Sequence, residues 1–270
     1  MFLKRNNAHK ILLRRKKMNS FIGWVGGKNH LKKQIISLIP DDAERYIEVF
    51  GGAGWVLFGK EQHPKQMEVF NDIDGNLINL YRQIKYNCEE LQNEIDWLQS
   101  RELFFEYRKQ IEQNVPLTDL QRAARYLYLI KCSFGSTKSS FATAPKSLVR
   151  IADSLPAYKQ RLNKVIIENR DFEQLIKTYD RTNALFYLDP PYVKTEKYYT
   201  AYEFTTEDHK RLKSILNGIK GRFILSYNDC EFIRDLYKDY NVISVDRLNL
   251  LSANTNNQQR FKEIIITNYC

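Results

Sequence analysis

The chain has 270 residues, with 42 Lys and Arg against 32 Asp and Glu and a formal net charge of +10. Its length allows one large domain or two modest ones, and 43% hydrophobic with 27% charged residues excludes wholesale disorder. Apolar runs such as Ile264–Ile266 are far shorter than the roughly 18 residues that span a bilayer, and 4 scattered cysteines without a Cys-x-x-Cys pair suggest a reduced, cytoplasmic chain.

Residues 1–17 carry Lys4, Arg5, Lys10, Arg14, Arg15, Lys16 and Lys17 and no acid. Met18 offers a second start, and this basic stretch reads either as a disordered tail or as a leader that does not belong to the protein. Gly23-Trp24-Val25-Gly26-Gly27-Lys28 invites a P-loop reading, which fails on spacing. Only three residues separate Gly23 from Gly27 where four are required, and Asn29 stands where a Mg²⁺-binding Ser or Thr belongs. An anion-binding turn with an aromatic platform at Trp24 remains.

Beyond a helix over Leu31–Leu38, strand-like Tyr46–Phe50 runs into Gly51-Gly52-Ala53-Gly54 and a helix over Trp55–Glu61. A strand, a glycine turn and a helix N-terminus let backbone N–H groups approach a ligand. The next strand, Met67–Phe70, ends at Asn71-Asp72-Ile73-Asp74 before a helix over Leu77–Tyr86. Asp72 is thereby placed about 20 residues past the glycines, where a carboxylate takes ribose hydroxyls. The turn departs from Gly-x-Gly-x-x-Gly, which disfavours nicotinamide binding.

Residues 85–164 break the strand–helix alternation. Glu89–Gln113 and Asp119–Lys131 are helical in period, and the small-residue stretch Ser133–Ala144 follows. Between 121 and 164, nine basic residues face Asp153 alone, concentrating positive charge inside the chain. Strands resume at Lys164–Ile167 and at Ala184–Leu188, which leads into Asp189-Pro190-Pro191-Tyr192. Further strands are expected at Arg222–Ser226, Val242–Val245 and Glu263–Thr267, giving an α/β fold.

The Asp-Pro-Pro-Tyr turn carries the strongest chemical signal. Two prolines fix φ and remove two donors, leaving carbonyls that only accept. The Asp189 carboxylate and the Pro190 carbonyl form paired acceptors for an –NH₂ group, with the Tyr192 ring as a stacking face. Such acceptors suit the exocyclic amine of adenine, aiming its lone pair at an electrophile. An ordinary Asp pKa of about 3.9 makes Asp189 an orienter rather than a strong base. His9, His30, His63 and His209 show no metal-ligand spacing, and no metal is expected. Neither a Gly-x-Ser-x-Gly elbow nor a reactive-cysteine context is present.

With these motifs in order, the chain resembles the DNA adenine methylase family from about Phe21 to its C-terminus. The resemblance rests on Phe21–Lys28, Val49–Gly54, Asn71–Asp74, Asp189–Tyr192, Tyr199–Thr205 and Leu251–Asn254. It implies a Rossmann-like methyltransferase sheet with an inserted, mainly helical target-recognition subdomain carrying a β-hairpin. Residues 18–84 and 165–270 would form the catalytic domain, and 85–164 the recognition domain with the hairpin at Ser133–Ala144. It further implies that Trp24, Lys28, Asp72 and Asp189 contact S-adenosylmethionine, and that Asp189, Pro190 and Tyr192 hold a flipped adenine. Double-stranded DNA is the implied partner, the expected state is a monomer, and a cognate restriction endonuclease is left open as a companion.

GATC methylases carry a hairpin resembling Arg-Tyr-Asn-x-x-Gly-x-Phe-Asn-x-Pro-x-Gly. Here Lys131 replaces the leading Arg and the asparagines are missing, so GATC is not assigned. Methylation of a cytosine amine or an RNA adenine uses the same geometry and stays open. So do a catalytically silent DNA-binding module and, more distantly, a nicotinamide-dependent oxidoreductase.

Overall fold

A computed structural model describes residues 18–193, 204–247 and 261–270. The basic tail, most of Tyr199–Thr205 and all of Leu251–Asn254 lie outside the described residues.

Seven strands form one sheet: β1 (Arg45–Glu48), β2 (Met67–Asn71), β3 (Val165–Glu168), β4 (Ala184–Leu188), β5 (Arg222–Asn228), β6 (Asn241–Arg247) and β7 (Phe261–Thr267). Their spatial order is β3-β2-β1-β4-β5-β7-β6. All neighbours pair in parallel except β7, which runs antiparallel to both β5 and β6. Every expected strand is present. The reversal of β7 leaves no trace in its composition, because an apolar run has the same pattern in either direction.

Alternation along the strands divides the core between two faces. Tyr46, Phe70, Leu185, Tyr187 and Ile265 pack on one face, while Ile47, Val69, Phe186, Leu188 and Ile264 pack on the other. The first face is covered by α1 (Lys32–Ser37), α2 (Trp55–Gly59) and α3 (Gly75–Tyr86). On the second lie α8 (Phe172–Tyr179), α9 (Thr206–Asn217) and α10 (Glu231–Leu236). Two covered faces explain why the strands read as continuous apolar runs.

Between β2 and β3, after α3, the chain builds α4 (Cys88–Glu94), α5 (Arg101–Glu112), α6 (Asp119–Cys132) and α7 (Leu148–Leu162). The long period over Glu89–Gln113 therefore divides into two helices, and Ser100 caps the second by accepting from Leu103 N. Thr118 and Gln121 form a reciprocal capping box at the start of α6. Leu127, Ile130, Leu155 and Leu162 share one core with Tyr46 and Phe70. The insert is thus packed onto the sheet through α3, α6 and α7.

Where a hairpin over Ser133–Ala144 is expected, the structure shows a single antiparallel bridge, Ser133 to Phe141. Its two bonds run from Phe134 N to Ser140 O (2.9 Å) and from Ala142 N to Cys132 O (2.7 Å). Between them lies a one-turn 3₁₀ helix, Phe134–Ser136. Gly135, Ser136 and Lys138 all take positive φ, which prevents a continuous ladder.

Candidate active site

Three turns meet at the carboxyl edge of the sheet: Gly51–Gly54 after β1, Asp72 after β2, and Asp189 after β4. Strand order reverses between β1 and β4, and ligands of open α/β sheets bind at such a switch point. A solvent-open cleft lies there, spanning about 990 Å³ with the open space at its mouth included. Trp24, Lys28, Asp72 and Asp189 all line it, together with Glu48, Trp55, Lys138 and Pro191. Pro190 is buried and Tyr192 half-buried, and both lie off its lining.

The glycine turn is fixed by its own conformation and by Asp72. Gly52 and Gly54 take φ of 48° and 64°, values that glycine adopts without a side-chain penalty. Gly52 N donates to Asp72 Oδ2 (2.8 Å), and Asp74 N donates to Oδ1 (2.9 Å). Burial pushes the Asp72 carboxyl up to about 6, reinforced by the neighbouring Asp74 and opposed by those two N–H groups. Asn71 braces the turn by donating to Val49 O (2.9 Å) and Arg170 O (3.0 Å).

Asp189 is only 19% exposed, and a single oxygen takes both of its side-chain partners among the described residues. Lys28 Nζ lies 2.7 Å from Oδ1, and Ser226 Oγ donates to the same atom at 2.9 Å. Burial raises this carboxyl above its ordinary range, while Lys28 and Ser226 pull it back. Lys28 is itself held by Gly26 O (2.8 Å), stands 4.5 Å from the Tyr192 ring centroid, and lies 3.9 Å from Glu263 Oε2. The Tyr192 hydroxyl donates to that same Glu263 oxygen (2.7 Å).

Glu48, Ser226, Glu263 and Lys138 join this site without belonging to any of its sequence motifs. Glu48 is 2% exposed, and its Oε2 accepts from Tyr46 Oη (2.8 Å) and Leu57 N (3.0 Å). Burial pushes it up to about 8. Its signal is visible in the sequence: an acid inside an otherwise apolar strand. Ser226 and Glu263 sit in ordinary strand patterns, and nothing local marks them. Lys138 belongs to the insert, and only folding brings it to the cleft.

The sheet order, glycine turn and carboxylates at the switch point define a Rossmann-like methyltransferase. The chain belongs to the D12 class N6 adenine-specific DNA methyltransferase family, whose model matches residues 24–249. It is 30% identical to the type II methyltransferase M1.LlaDCHI of Lactococcus lactis subsp. cremoris, over 96% of this chain and 99% of that protein. It is 25% identical to the type II methyltransferase M.CviBI of Paramecium bursaria Chlorella virus NC1A, over 93% and 100%. A DNA adenine methylase of Haemophilus influenzae is 24% identical, over 92% of this chain and 93% of its own length. Among the described residues, no helix is long and apolar enough to cross a membrane.

Proposed function

We propose that this protein transfers the methyl group of S-adenosylmethionine to the exocyclic amine of an adenine flipped out of duplex DNA. The observation that carries this reading is Asp189, anchored through one oxygen by Lys28 and Ser226 at the cleft. Its Oδ2 is left to accept an amine hydrogen, and Pro190 supplies the adjoining carbonyl.

The cleft suits the cofactor's chemistry. Asp72 and Asp189 offer carboxylates to a cationic ligand, and Glu48 adds a polar carboxyl to the same lining. The buried Trp55 Nε1 has no hydrogen-bond partner among the described residues. A Cβ on Gly52 would stand 2.8 Å from the Trp24 ring, so the turn approaches that wall as closely as glycine permits. Asp72 and Trp24 would hold the adenosine part, with Lys28 and Asp189 at the reacting end. The sulfonium supplies a methyl group already activated toward a nucleophile. The protein's part is to orient the amine and exclude water, and positioning accounts for much of the acceleration. Residues 85–164 serve as the target-recognition domain in this reading. One chain then carries both cleft and insert, so a monomer suffices.

Labelled S-adenosylmethionine and adenine-containing duplex DNA test the proposal, with the product digested to nucleosides. Label is expected in N6-methyladenine, and Asp189→Ala should slow transfer at least about 100-fold. Label in cytosine, or undiminished transfer by the variant, would overturn it.

A further inference from the structure

Lys138 is the one cleft-lining residue on the 133–142 loop. Its ammonium stands 4.4 Å from the Trp24 ring centroid and 5.1 Å from that of Tyr126. It makes no ion pair within 4 Å among the described residues; burial lowers its pKa, and nearby Asp74 and Asp72 oppose that shift. The Tyr126 hydroxyl bonds to Asp74, whose carboxylate caps α3. Lys138 therefore faces the same acidic wall that carries Asp72.

The backbone holds it there under strain. Lys138 takes φ of 62° and Ser136 φ of 59°, conformations that L side chains seldom adopt. Ser133 Oγ accepts from Lys138 N at 3.0 Å. At the loop's other contact, a Cβ on Gly23 would stand 2.3 Å from Ser136 Oγ, so loop and Gly23–Lys28 segment are closely apposed. Phe134, in the same loop, is 72% exposed.

We propose that Lys138 is a cofactor-binding residue supplied by the insert, and that it links cleft occupancy to placement of the DNA-facing loop. This rests on the function proposed above. Asp72 can accept from a hydroxyl, and a neighbouring ammonium can donate to one. A ribose diol, which both donates and accepts, is recognised by such a pair. Linkage is reciprocal: a loop settled by DNA tightens cofactor binding by the factor that cofactor tightens DNA binding.

The test measures S-adenosylmethionine affinity calorimetrically, with and without adenine-containing duplex, for wild type, Lys138→Gln and Lys138→Arg. Lys138→Gln should weaken cofactor binding about tenfold. It should also remove the enhancement by DNA while leaving DNA affinity without cofactor within about twofold. Lys138→Arg should restore most of both, and matching thermal melts show that the variants fold. Cofactor affinity and enhancement unchanged in Lys138→Gln would overturn the proposal. Failure of the wild type to bind S-adenosylmethionine would instead overturn the proposed function.

Discussion

Asp72 shows how one carboxyl can make ligand binding depend on pH. Its folded-state value of about 6 lies above the ordinary carboxylate range, with burial as the main cause. A cationic, hydroxyl-bearing ligand favours the ionised form, so binding below about pH 6 must expel a proton. Affinity for S-adenosylmethionine should rise up to about tenfold per pH unit toward pH 6 and flatten above it. Asp72→Asn should bind more weakly and lose that bend. Titrations from about pH 5 to 8 check this, and a wild-type curve matching the variant's shape would contradict it. Asp74, Lys138 and the Gly52 N–H face the same group, and the variant isolates the Asp72 contribution.

Helix α7 illustrates how an element is secured against its own sequence. Pro156 lies within it and cannot donate to Ala152 O, and the Gln92 side chain donates there instead (2.8 Å). Near its end, buried Arg161 forks onto Glu68 of β2 at 2.6 and 2.8 Å and also donates to Leu57 O (2.7 Å). Lys60 Nζ completes the network at 2.5 Å from Glu68. Arg161→Ala would leave Glu68 facing Lys60 alone, at a cost of about 3–5 kcal/mol. The expected fall in Tm is about 10 °C, read by calorimetry. A fall under about 2 °C would show that the network contributes little.

Across the molecule, the charge run at 121–164 does not form one basic face. Arg161 is buried on Glu68, Lys138 enters the cleft, and Arg125 lies over Tyr107. Lys146 and Arg150 are exposed, whereas Arg108 of α5, outside the run, donates to Ser139 O (2.8 Å). If Lys146 and Arg150 each meet a phosphate, replacing both with Ala should lower the salt slope of DNA binding by about 2. Affinities at several salt concentrations measure this, and an unchanged slope would place the DNA elsewhere.

Strands, the glycine turn, Asp72 and the Asp-Pro-Pro-Tyr turn are legible from residues alone, because short apolar runs and turn chemistry are local. The partners of those residues are not. Lys28 meets Asp189 and Glu263, and Arg161 meets Glu68, across stretches of chain far longer than any local pattern. The direction of β7 and the split of the basic run are likewise settled by strand order and helix packing. Motifs follow from short-range sterics, whereas a site's charge balance follows from which distant strand ends become neighbours.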